Sequence, residues 1–158
     1  MKFIKSISTS IFTLLLCTAC ESDLEQVTYS SENAIPSTLS SLNDSYILES
    51  KNASQEAFTL TWSYPDLGYQ ASVINALEMD VKDKNFANKV ILASSKTDLS
   101  HTITVSDLNS KIMTLLKVYE IETAPIGIEF RISSSISAAA DTLYSNIVST
   151  TITPYEGE

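Results

Sequence analysis

An all-β sandwich with one short helix is the fold class this sequence predicts, and three observations predict it. Apolar residues recur at every second position in six or seven short runs, the spacing of strands with one buried face. Clusters of Pro, Gly, Asn and Asp separate these runs and mark turns. Only one segment, about residues 106–116, changes to a helical spacing. Because strand–helix units do not repeat, a parallel sheet is disfavoured, and the pattern reads as an antiparallel sandwich of immunoglobulin or fibronectin III-like type. No solenoid or propeller period is present.

The chain opens on a leader. Lys2 and Lys5 give a positive start, Ile7 to Leu16 form an apolar run too short to span a bilayer, and Cys17-Thr18-Ala19-Cys20 follows. This order predicts a lipoprotein signal peptide over 1–19, with lipid attached to Cys20. At roughly 0.8 kcal/mol per buried CH₂, several acyl chains make such an anchor effectively permanent. Residues 20–41, rich in Ser, Thr, Glu and Asn, read as a flexible tether. The sandwich is expected over 42–155, with 156–158 as a tail.

Within the sandwich, Phe58, Leu60 and Trp62 share one side of a strand whose other side carries Thr59 and Thr61. Tyr64-Pro65-Asp66-Leu67-Gly68 then turns the chain. Val73, Leu77, Met79 and Val81 line the next strand, and Asp83-Lys84-Asn85 the next turn. Phe86, Val90 and Leu92 are in phase, as are His101, Ile103 and Val105. The helix is expected to start at Ser106 as cap, with Asp107 in its first turn and Leu108, Ile112, Leu115 and Leu116 on its buried face. Ile126, Ile128, Phe130 and Ile132 alternate with Glu129 and Arg131. After a turn at Ala138 to Asp141, Tyr144, Val148 and Ile152 close the pattern.

Composition narrows the function. Both cysteines lie in or beside the leader, so the body has no disulfide, thiolate metal site or thiol nucleophile, and a hydrophobic core must supply its stability. Removing residues 1–19 takes Lys2 and Lys5 and no acid, leaving 8 basic against 19 acidic side chains, a formal charge of −11. That balance argues against nucleic acid as a partner. No HExxH, phosphate loop or G-x-S-x-G occurs, and no cofactor or metal is expected. His101 is in phase with Ile103 and Val105 and reads as a sheet-face residue. Glu78 and Asp80 share one strand face; flanking a sugar or holding calcium is conceivable, but a solvated acidic face is the better reading.

Aromatic residues remain. Trp62, Tyr64 and Tyr69 gather around the Pro65–Gly68 turn, and exposed rings grip the apolar faces of sugars. Trp62, in register with Phe58 and Leu60, reads as a core anchor. Tyr64 and Tyr69 are the candidate glycan-stacking pair.

These residues carry a resemblance. TWSYPDLGYQASV (Thr61 to Val73), NFANKVIL (Asn85 to Leu92), ITVSDLN (Ile103 to Asn109), IEFRIS (Ile128 to Ser133) and LYSNIVSTTITPY (Leu143 to Tyr155) resemble, in order and spacing, the amino-terminal domain of SusE-type outer-membrane lipoproteins. The resemblance covers roughly residues 40–155. It implies a non-enzymatic protein, lipid-anchored in the outer membrane and facing the cell surface, beside a SusC-like TonB-dependent porin and a SusD-like glycan-binding partner. Such proteins usually continue into carbohydrate-binding modules. Their sugar-contacting residues have no counterparts up to Glu158, so binding of starch or another polysaccharide by this domain alone is expected to be weak or absent. The competing expectation is an anchored structural or adhesive domain that docks a partner protein.

Overall fold

Two short sheets enclose one core because each strand turns its apolar side inward. The computed structural model describes residues 33–136 and 141–156. The expected signal peptide, Cys20, residues 20–32 of the expected tether, turn residues 138–140 and the end of the tail lie outside the described residues.

β1 (Ser45–Ile47), β2 (Glu56–Thr61), β3 (Ile74–Val81), β4 (Val90–Ser95) and β5 (Ser100–Thr104) precede the helix α1 (Val105–Val118). β6 (Ile126–Ser135), β7 (Leu143–Tyr144) and β8 (Val148–Thr153) follow. The larger sheet runs β1-β8-β6-β3-β4, with β7 also beside β6; β2 and β5 form the smaller one. All pairings are antiparallel except β1 with β8. The chain thus passes between two facing sheets in the manner of an immunoglobulin-like sandwich.

Phe58 and Leu60 of β2, Leu77 and Met79 of β3, and Ile128, Phe130 and Ile132 of β6 meet in the core, where Phe58 and Phe130 pack edge to face at 5.7 Å. Leu108, Ile112, Leu115 and Leu116 bring α1 onto the same cluster. The helix cap lies two residues earlier than the expected Ser106. It is Thr104, whose hydroxyl accepts the Asp107 N–H at 3.3 Å, while Ser106 lies inside the first turn. It also continues past residue 116 to Val118.

Three further positions differ from the alternation. Phe86 does not continue the β4 face: Asp83, Asn85 and Phe86 have φ of 63°, 53° and 57°, and this left-handed turn folds the Phe86 ring onto the outer surface of the larger sheet. Burial of the ring (5% exposed) offsets the strain of positive φ at so bulky a residue. Tyr144 does not share a face with Val148 and Ile152. It pairs with Ser133 on the outer side of β6, and Ser145 to Ile147 break the strand before β8 begins. Glu78 and Asp80 are not on a solvated face: they are 2% and 0% exposed, with Lys89 and Arg131 set against Glu78 and Asn88 and Tyr119 against Asp80.

The packed chain also begins earlier than residue 42. Ile35 exchanges backbone hydrogen bonds with Asp66, Ser40 N–H donates to the Thr61 carbonyl, and Leu39 is 2% exposed. Backbone pairing with the end of β2 outweighs the polar composition that makes these residues read as tether. Two asparagines fasten the chain at either end of the sandwich. Asn146 accepts the Leu39 N–H at 2.8 Å and donates to the Leu39 carbonyl at 3.0 Å. Asn109 of α1 does the same for Tyr155, at 2.9 and 3.0 Å.

Candidate functional site

The link from Tyr64 to Val73 leaves the smaller sheet after Trp62 and returns as β3. Pro65 and Leu67 are buried and seat it on the core. Asp66 Oδ1 accepts the Gly68 N–H at 2.8 Å, and Gly68 supplies the positive φ of 74° that the turn needs. The Tyr64 hydroxyl accepts the Val73 N–H at 3.2 Å and points at the Ala71 carbonyl at 3.5 Å, closing the loop on itself.

Inside this loop lies an open cavity of about 550 Å³. Tyr64, Asp66, Tyr69, Gln70 and Val73 are among the residues that line it. Tyr64 is 43% exposed and Tyr69 half-buried, so the structure brings the two sequence-selected tyrosines to one rim. Trp62 is not there: it is 6% exposed and belongs to the core. Two rings, one carboxylate and one amide suit a small ligand with an apolar face and hydroxyl groups. Asp66 is the one carboxylate among the residues that line the cavity.

Glu78 and Asp80 are engaged elsewhere. Lys89 and Arg131 both pair with Glu78, Arg131 Nε at 2.8 Å. Burial would raise the Glu78 pKa, but hydrogen bonds from Lys89, Arg131 and Ser133 outweigh it and hold the carboxyl below its ordinary value of 4.5. Asp80 accepts from the Val81 N–H at 2.7 Å, the Asn88 N–H at 3.1 Å and the Tyr119 hydroxyl at 3.0 Å. Neither carboxylate is free for a sugar or calcium, and no metal-competent cluster of His, Cys, Asp and Glu occurs among the described residues. His101 is half-buried on β5. No helix among the described residues is long and apolar enough to cross a membrane.

Sequence reasoning missed a second constellation on the outer face of the larger sheet. Arg131, the only arginine, lies with its guanidinium carbon 4.0 Å from the ring centres of both Phe86 and Tyr144. Alternation placed Arg131 outward, but nothing local tells which rings come to it.

The model of the SusE outer membrane protein family matches residues 22–133, well over half of the chain. The chain belongs to the SusE outer membrane protein family. That membership places it at the outer membrane, in association with a Sus-type system. The match runs from before the Ile35–Ser40 strap through α1 and most of β6. No curated protein and no solved structure matches the chain.

Proposed function

We propose that this SusE-family chain is a non-enzymatic accessory of a Sus-like glycan-uptake system, lipid-anchored through Cys20 on the outer face of the outer membrane beside SusC-like and SusD-like partners. The family match over 22–133 carries this reading. The geometry agrees with a spacing role: the strap at Ile35–Leu39 reaches the end of the sandwich bearing the Tyr64–Val73 loop, whereas Tyr155 is fastened at the opposite end, on α1. Within the sandwich the Tyr64–Tyr69 rim is the place where starch or another polysaccharide would touch.

The anchor is tested directly. Mass spectrometry of the mature protein is expected to show an N-terminal diacylated Cys20, and Cys20→Ala is expected to release the protein from outer membranes. An unmodified Cys20, or a substituted protein that still pellets with the membrane fraction, contradicts the anchor.

The rim is tested by calorimetry with maltoheptaose and a panel of other oligosaccharides. Two stacking contacts must first offset several kcal/mol of lost freedom, so the expected dissociation constant is about millimolar or weaker, some −4 kcal/mol. Micromolar binding abolished by Tyr69→Ala, with thermal stability unchanged, would instead make this domain a receptor in its own right. Tyr64→Phe separates the ring from the hydroxyl that closes the loop.

A further inference from the structure

Arg131 presents an unusual arrangement of charge. Its Nε donates to Glu78 Oε2 at 2.8 Å, and this is the side chain's only hydrogen bond among the described residues. The four N–H groups on its two Nη atoms therefore have no protein acceptor there. Phe86 reaches the guanidinium from the β3–β4 turn and Tyr144 from β7 on the other side, each ring centre 4.0 Å from Cζ. Two rings and a buried carboxylate thus hold the fork in place, at 16% side-chain exposure. Holding an arginine fork still removes much of the rotamer entropy that ligand binding would otherwise cost.

Glu78 is shared by Arg131 and Lys89, and the next pair on the same face, Asp80 and Glu129, lies two residues further along β3 and β6. Around them the side chains are small or aliphatic: Ser133 and Ala76 lie in register beside Tyr144, and Ile91 lies opposite Glu78, 53% exposed. A guanidinium with a free edge, held still between two rings, matches a planar anion that can take two parallel hydrogen bonds.

We propose that Arg131, positioned by Glu78, Phe86 and Tyr144, is a binding site for a carboxylate group carried by a larger ligand. The Nη atoms donate to the two carboxylate oxygens, and Tyr144, 45% exposed, supplies the neighbouring contact surface. This site shares no residue with the Tyr64–Tyr69 cavity, so it stands or falls independently of glycan contact there. A carboxylate can come from an acidic sugar or from an acidic peptide, and the two sources are separated by probe.

The test follows backbone and Arg side-chain NMR shifts of the full chain during titration with tetragalacturonate, with a blocked Glu-Glu dipeptide, with inorganic phosphate, and with neutral maltoheptaose. One or both carboxylate probes are expected to move the Arg131 and Tyr144 signals, and the probe that binds more tightly names the source. Arg131→Lys keeps the charge but loses the fork, and is expected to weaken that binding about tenfold, the scale of one charge-assisted hydrogen bond. Because Arg131 also supports Glu78, Tyr144→Leu is the second variant. It leaves the ion pairs intact and is expected to weaken the same binding several-fold while the unfolding midpoint stays put. No response to either carboxylate, equal response to maltoheptaose, tighter binding of phosphate than of both carboxylates, or full binding in both variants overturns the site.

Discussion

Trp62→Ala is expected to cost about 3–5 kcal/mol of folding stability, the range for removing a large aromatic side chain from a packed core. Trp62 is 6% exposed and sits in one cluster with Leu39 and Leu60. Its backbone would survive the change, since the Trp62 N–H donates to the Leu99 carbonyl at 2.9 Å whatever the side chain. The loss is therefore a cavity at the place where the Ile35–Ser40 strap meets β2, and the strap should loosen with it. Trp62→Phe is the matched control. It keeps most of the apolar volume and deletes Nε1, a buried donor without a protein acceptor among the described residues, so its cost is expected to stay below about 1.5 kcal/mol. Urea unfolding followed by circular dichroism measures both. Before any substitution, emission from this single tryptophan should be blue-shifted in the native state and move red on unfolding. A near-zero loss for Trp62→Ala would contradict its place in the core.

What the sequence disclosed was one face of each strand. Phe58 and Leu60, Leu77 and Met79, and Ile128, Phe130 and Ile132 each alternate with polar neighbours, and that period alone commits them to a common interior. The opposite faces were not legible. Glu78 and Asp80 look like a solvated edge because their partners come from far along the chain: Arg131 is 53 residues from Glu78, and Tyr119 is 39 from Asp80. Phe86 keeps the period but not the conformation, since a turn with three left-handed residues has no apolar signature. The strap was hidden by composition. Its Ser and Thr residues read as linker, yet Ser37 and Leu39 alternate inward once β2 offers backbone partners. Of the candidate site, the meeting of Tyr64 and Tyr69 was legible because a short Pro–Gly turn keeps them close. The setting of Arg131 was not, because it depends on the β6–β7 register and on the β3–β4 turn at once. Asn109 and Asn146 lie in the stretches that carry the family resemblance, and their two-bond hold on Tyr155 and Leu39 gives those stretches a physical purpose that spacing does not reveal.

Glu78→Gln is expected to destabilise the fold by about 2–3 kcal/mol at neutral pH, and to do so by a pH-dependent route. Removing one member of a buried ion cluster costs most when the remaining charges cannot reach water. Here Glu78 is 2% exposed, but the Arg131 and Lys89 side chains are 16% and 37% exposed, so part of their solvation returns and the figure falls below that of a fully enclosed pair. The sign of the pH dependence follows from the direction of the shift. The folded-state pKa of Glu78 lies below the ordinary 4.5, so the cluster contributes fully above the unfolded value and loses its contribution as pH falls through the folded one. The gap between parent and Glu78→Gln should therefore stay constant from neutral pH to about pH 5, and close at lower pH as the parent's own carboxyl takes up a proton. Urea midpoints measured at several pH values for both proteins give this curve directly. A gap that persists unchanged to about pH 3, or one already absent at neutral pH, would mean that Glu78 holds its two cations in place without stabilising the sandwich through its charge.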